Sequence, residues 1–231
     1  MNELLNININ EVMKTLSEKR PIFHSEADFQ FELAWTIKKK YGDKVSIRLE
    51  YTPLLIDMSE DDKKLWKNAR IDIVLFFNDS KSIVPIELKY LKHTLEYVAD
   101  NGEVYNLSLG ARGMGMYNCF ADIERMELLK EKLKGFSKGY VIWLTNDKAY
   151  WEGLKMENNY SVFNAPDGTT IEEGQRHFRE GAKVKGYPKY QYPISIKGNY
   201  KVSWQEYSEL SANEKGKNNE FKYCVIDITS V

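Results

Sequence analysis

Cysteine is scarce in this chain of 231 residues: Cys119 and Cys224 are the only two, far apart and outside any CxxC or Cys/His cluster. That excludes a disulfide framework and a thiolate zinc site, and it fits buried free thiols in a reducing, cytoplasmic compartment. Histidine is nearly as rare, and His24, His93 and His177 have no metal-ligand spacing; each reads as structural or exposed. No run of eighteen apolar residues occurs, so no membrane partner is expected. The opening Met1-Asn2-Glu3-Leu4-Leu5-Asn6 lacks the basic head and apolar stretch of a signal peptide. A basic surplus is also missing, since 33 Lys and Arg face 34 Asp and Glu for a net charge of −1. A nucleic-acid partner would therefore have to be held by local patches. The glycines of residues 106–115 follow neither a GxGxxG nor a Walker order, which removes a nucleotide loop of those types. There is no internal repeat.

What is present is an ordinary apolar fraction of 42% with 29% charged residues, as in a globular chain. One domain over 1–231 is expected, with a core at about 22–148 and an extension at about 149–231. Asn10 can cap a short helix to about Arg20, stopped by Pro21, which reads as peripheral. Ser25-Glu26-Ala27-Asp28 opens a second helix reaching Tyr41, with Gly42 beyond its end and Phe29, Leu33, Ala34 and Ile37 as its apolar stripe. Residues 44–51 alternate as a half-exposed strand, with Val45, Ile47, Leu49 and Tyr51 on one face. A short capped helix is expected around Ser59 to Trp66. Residues 90–115 read as irregular. A long helix over 115–134 carries Phe120, Ile123, Met126, Leu129 and Leu133 and stops at Gly135. Gly139 to Asn146 reads as a buried parallel strand, and Phe221 to Thr229 as a final strand.

The stretch with chemistry in it is 70–89. Ile71 to Phe77 and Ser82 to Lys89 are β-rich runs around a polar break, hence a hairpin. A loop centred between Asp79 and Ser80 sets residue 75 opposite 84, 73 opposite 86 and 72 opposite 87. One face then holds Ile71, Ile73, Leu75, Phe77, Val84, Ile86 and Leu88. The other holds Val74, Phe76, Ile83 and Pro85, with Asp72 opposite Glu87 and Lys89 at the next same-face position. Two facing carboxylates repel and, once buried, need a cation or a shared proton. A divalent ion answers this, and carboxylate oxygen suits Mg²⁺ or Mn²⁺; a salt bridge to Lys89 alone would leave one negative charge over.

Asp72, fourteen residues, then Glu87-Leu88-Lys89 resembles the motif of the PD-(D/E)XK nuclease superfamily, with Ile71-Asp72 where that family has Pro-Asp. Helix, strand, two-strand hairpin, helix and strand follow in the same order. The resemblance implies a restriction-endonuclease-like αβββαβ core, an α/β (α+β) fold with a mixed central sheet flanked by helices, here with a β-rich C-terminal extension. It further implies a metal-dependent nuclease, an endonuclease-type hydrolase of the phosphodiester bonds of nucleic acid, with DNA the expected substrate. Asp72, Glu87, Lys89 and Glu26 would be catalytic. Mg²⁺ (or Mn²⁺) would be held by Asp72, Glu87, the Leu88 backbone carbonyl and Glu26. Glu32 is the runner-up to Glu26, which as a helix N-terminal acid has a purely local role open to it. The stretch Asp122-Ile123-Glu124-Arg125-Met126-Glu127 is similar to one that shapes the site in relatives, although an intrahelical salt-bridge network accounts for it as well. The alternative function is a non-catalytic nucleic-acid- or protein-binding module on the same fold.

The last third interleaves Lys183, Lys185, Lys189, Lys197 and Lys201 with Tyr187, Tyr190, Tyr192, Tyr200 and Trp204. Lysines neutralise phosphates and aromatic rings stack on unpaired bases. Arg112, Lys189, Tyr190, Tyr192, Lys197 and Lys201 are accordingly nucleic-acid-binding candidates. Their other reading is a hairpin from Ile194 through Lys197-Gly198-Asn199 to Trp204 with lysines in water. A helix is expected over 171–181, and Ser211 to Glu220 reads as a polar loop.

Overall fold

The structure is a computed structural model and describes residues 7–66, 69–78, 80–182, 188–211 and 218–229. In chain order it contains α1 (Ile9–Ser17), α2 (Glu26–Tyr41), β1 (Val45–Tyr51), α3 (Glu60–Trp66), β2 (Ile71–Phe77) and β3 (Ile83–Leu91). Next come β4 (Leu95–Val98), β5 (Val104–Leu107), α4 (Arg112–Lys132) and β6 (Lys138–Thr145). The remaining strands are β7 (Thr170–Ile171), β8 (Gly174–Arg176), β9 (Ile194–Ile196), β10 (Tyr200–Lys201), β11 (Trp204–Glu209) and β12 (Glu220–Thr229).

Six strands form one mixed sheet in the order β1-β2-β3-β6-β12-β11. β3 and β6 run parallel; the other neighbours are antiparallel. A parallel pair needs a crossover, and α4 supplies it. One face of the sheet packs α1, α2 and the β4–β5 hairpin around Ile73, Leu75, Ile86, Leu88, Tyr140 and Ile142. The other packs α4 and the small C-terminal strands around Val74, Val141, Trp143 and Cys224. Both faces of β2, β3 and β6 are thus covered, which is why these strands read as nearly unbroken apolar runs.

The hairpin register is as expected, with Ile73 opposite Ile86 and Leu75 opposite Val84. The ladder ends at Ile73–Ile86, one pair short of Asp72 and Glu87. Ile71 departs from the expected face and joins the α4 side with its partner Tyr51. Between Leu49 and Tyr51 in the neighbouring strand, Glu50 has φ 51, a left-handed conformation that interrupts the alternation of β1.

Helix ends follow local chemistry. Ser25 Oγ accepts from the Asp28 amide at the start of α2, and Gly42 ends it with φ 57. Ser59 and Asp62 exchange reciprocal side-chain bonds at the start of α3, a capping box. Four expectations change. α1 is not peripheral: Ile9, Val12, Met13 and Leu16 are buried in the α2-side core, because β11 and β12 widen the sheet and α1 covers it. Residues 95–107 are not irregular but a hairpin, turned through Gly102 at φ 84 with the Ala99 amide on Glu103 O. Residues 171–181 form no helix; Gly174 at φ 133 starts β8 instead. Finally, β9 and β10 do not pair with each other. β9 pairs with β8 and β10 with β7, because the turn between them is captured by α4. Lys183, Lys185 and Tyr187, the side chain of Lys189, and residues 212–217 of the expected polar loop lie outside the described residues.

Candidate active site

Where β2 and β3 part, Leu88 has no ladder partner on β2, and its amide donates to Asp72 Oδ2 at 2.6 Å. Asp72 therefore caps the end of the ladder with its side chain. α2 fixes the other side of this junction. Gln30 Nε2 donates to the Asp72 carbonyl at 2.6 Å and to Glu50 Oε1 at 2.9 Å, and Glu26 Oε2 accepts from the Tyr90 amide at 2.8 Å. Of the two α2 acids considered, Glu26 reaches the site, whereas Glu32 is drawn away to Arg20 at 3.1 Å.

Lys89 extends from β3 into a cage of oxygens. Its Nζ lies 2.7 Å from Leu88 O, 2.7 Å from Asp122 Oδ2 and 4.0 Å from Glu26 Oε1. α4 contributes a second cation, Arg125, whose Nη2 is 3.0 Å from Glu87 Oε1 and 2.7 Å from Asp122 Oδ1. Glu87 and Asp122 are each 1% exposed. The order of contacts is Glu87–Arg125–Asp122–Lys89–Glu26, with Asp72 beside Glu87.

Four carboxylates, Glu26, Asp72, Glu87 and Asp122, thus meet two cations, Lys89 and Arg125. With all six ionised, two negative charges are uncompensated. The electrostatics register that surplus. Burial, then the neighbouring Glu87, pushes the Asp72 carboxyl up to about 8 against the pull of Lys89 and the Leu88 amide. Burial also raises Glu87, against Arg125. Burial alone would lower Lys89 and Arg125, but Asp122 leads the acids that raise Lys89, and Glu87 those that raise Arg125; both stay charged.

Two observations bear on whether this site suits a divalent ion. The donors are hard oxygens carrying two uncompensated negative charges, and Asp122 Oδ2, fully buried, has the Lys89 ammonium as an ion-pair neighbour but no hydrogen bond. These fit Mg²⁺ or Mn²⁺. Against a ready-made cage, no group of three or more His, Cys, Asp or Glu among the described residues converges tightly enough to hold a metal by itself. The fit is therefore one of charge and donor type, with Leu88 O and Glu87 Oε1 currently engaged by Lys89 and Arg125.

Asp122 and Arg125 are the two residues that sequence reasoning undervalued. Their i,i+3 pair does exist, but both also cross to the sheet, which helical spacing cannot reveal. Glu124, grouped with them, turns instead to the Ser195 amide at 2.7 Å.

Several of the basic and aromatic candidates are engaged within the protein. Arg112, the first residue of α4, is held in a bidentate pair with buried Asp147 at 2.7 and 2.9 Å. Lys197 Nζ pairs with Glu131 at 2.6 Å. Tyr190 packs its ring against Tyr117, centroids 5.1 Å apart, and Tyr192 and Lys201 are exposed. Both cysteines are buried and free. His24 stacks on Tyr105 and bonds Glu103, while His93 meets Asn218; neither approaches a metal-like cluster. No helix among the described residues is long and apolar enough to cross a membrane.

Comparison of the chain with protein-family models, with curated proteins and with solved structures finds no match.

Proposed function

We propose that this chain is a metal-dependent nuclease of the PD-(D/E)XK type, hydrolysing phosphodiester bonds in nucleic acid, with DNA as the first substrate to test and Mg²⁺ or Mn²⁺ as the cofactor. The observation that carries the reading is the junction itself. In a core ordered α2, β1, β2, β3, α4, β6, the strands β2 and β3 separate where Asp72, Glu87 and Lys89 meet, and α2 brings Glu26 to the same place. That element order supports reading the core as a restriction-endonuclease-like αβββαβ arrangement.

In this reading Asp72, Glu87 and Leu88 O hold the ion, with Glu26 directly or through water. When bound, the ion supplies Lewis-acid polarisation of a phosphoryl oxygen and a more acidic water. Lys89 remains an ammonium because the acids around it outweigh its burial. Its part is then to donate, orienting the water and stabilising charge that develops on the phosphate, rather than to act as the base. Asp122 fixes where the ammonium points.

Shape-conserving substitutions give the clean test, because truncating Glu87 would open a buried gap beside Arg125, whereas Gln keeps the volume and an oxygen for the guanidinium and Asp122 keeps it paired. Glu87→Gln and Lys89→Met are expected to keep the far-UV spectrum and lose cleavage of a DNA and RNA panel in Mg²⁺ or Mn²⁺ by at least about a hundredfold. Undiminished cutting by both variants would remove the assignment.

A non-catalytic binding module on this fold is the second reading. It is favoured by one feature: Glu87 and Asp122 already have protein cations as partners. Such a module needs no divalent ion, so a parent protein whose thermal unfolding ignores millimolar Mn²⁺ would decide for it.

A further inference from the structure

The cation closest to Glu87 is not a metal but Arg125, 3.0 Å from Oε1. This guanidinium is 15% exposed, is tethered by Asp122 at 2.7 Å, and has no acceptor for its Nε. A buried arginine usually has its donors satisfied; an idle Nε marks a side chain placed for charge rather than for a full hydrogen-bond set. Lys89 is anchored on the other oxygen of the same Asp122. One buried carboxylate thus positions both cations of the site, one on each side.

Resting on the nuclease reading above, we propose that Arg125 is the resident counter-ion of the metal-free site and competes with the divalent ion for Glu87, with Asp122 as the post to which it is tied. Arg125 is a positioning residue in this scheme and touches no substrate. The competition follows from charge. Arg125 already offsets one of the four carboxylates, so the ion-free protein folds against less repulsion than it otherwise would, and an incoming ion must first loosen that guanidinium. The arginine therefore sets the ion concentration at which the site loads. The tether to Asp122 gives it somewhere to remain when it leaves Glu87, so loading need not expose a charge to an apolar wall.

The probe is Mn²⁺ alone, read by its upward shift of the thermal midpoint and by titration calorimetry, without substrate. Arg125→Met is expected to be less stable than the parent without Mn²⁺ and to bind Mn²⁺ more tightly, by about tenfold or more, since ligand-linked stabilisation rises with affinity. Arg125→Lys keeps the charge but loses the planar fork, so it should remain folded and bind Mn²⁺ with intermediate affinity. Parent binding with equal or weaker affinity in both variants overturns the competition and leaves the nuclease reading standing. Absence of an Mn²⁺ response in the parent and both variants overturns the two together. Should Arg125→Met not fold, Arg125→Lys decides alone: affinity no higher than the parent's counts against the proposal.

Discussion

Asp72 is the residue on which the site's pH behaviour turns. Its carboxyl stands near 8 in the folded protein against an ordinary 3.8, through burial first and Glu87 second. An acid whose folded pKa is raised keeps its proton in the native state. Its contribution to stability is complete below the ordinary value and is lost as pH climbs through about 8. Without divalent ions, Asp72 therefore makes the fold progressively less stable between about pH 4 and pH 8. Asp72→Asn is neutral throughout and still offers an oxygen to the Leu88 amide, so it should flatten this slope. Urea unfolding with a chelator from pH 5 to 9 measures it, and an identical slope in parent and variant would contradict the assignment. A divalent ion works in the opposite sense, favouring the ionised carboxylate, so the stabilisation by Mn²⁺ should grow from pH 6 to pH 8.

At the scale of elements, α4 serves two masters. One side delivers Asp122 and Arg125 to the sheet. The other lends Glu127 to the turn between β9 and β10, where it accepts from the Lys197 amide at 3.0 Å, the Gly198 amide at 2.8 Å and Tyr200 Oη at 2.6 Å. Glu127 is only 4% exposed, so its carboxylate relies on these donors rather than on water. Glu127→Gln weakens charge-assisted bonds and is expected to cost about 1–3 kcal/mol, with faster amide exchange confined to Lys197 and Gly198. A change within about 0.5 kcal/mol, the range of an ordinary surface substitution, would mean that the turn holds itself.

The same two-sidedness explains which elements the sequence disclosed. The β2–β3 register could be read because a one-residue slip would have driven Asp72, Glu87 and Lys89 into an apolar face. α2 could be read from Ser25 and Gly42, whose cap chemistry is local. The β4–β5 hairpin was also legible in principle: Asn101-Gly102 stands between Leu95-Glu96-Tyr97-Val98 and Val104-Tyr105-Asn106-Leu107, a turn signal between short β-rich runs. Asp122 and Arg125 were not legible. Their spacing is satisfied by a pair on one helix, and only the packing of α4 against β3 adds Lys89 and Glu87. The partners of β9 and β10 were equally hidden, since Ile194-Ser195-Ile196 and Tyr200-Lys201 form a plausible hairpin until Glu127 takes the turn amides.

Over the whole molecule, the C-terminal third is structural to the core rather than appended to it. β12 pairs along the full length of β6, from Lys222–Thr145 to Thr229–Lys138, and β11 pairs outside β12. β6 in turn is the parallel neighbour of β3, which carries Glu87 and Lys89. α1, from the opposite end of the chain, closes the same region: Tyr140 Oη on β6 donates to Ile7 O, and Tyr207 Oη on β11 donates to Arg20 O. A chain ending at residue 148 would leave β6 as a bare edge with Val141, Ile142, Trp143 and Leu144, all nearly or fully buried in the intact protein, beside it. Such an edge is an invitation to association. The truncated chain is therefore expected to be recovered as aggregate, or as a soluble species without a cooperative unfolding transition, even though Asp72, Glu87, Lys89, Asp122 and Arg125 are all retained. Size-exclusion chromatography with a urea titration tests this. A monomer with a sharp transition would show that the first two thirds fold alone and that the strands after β6 serve some purpose other than completing the sheet behind the site.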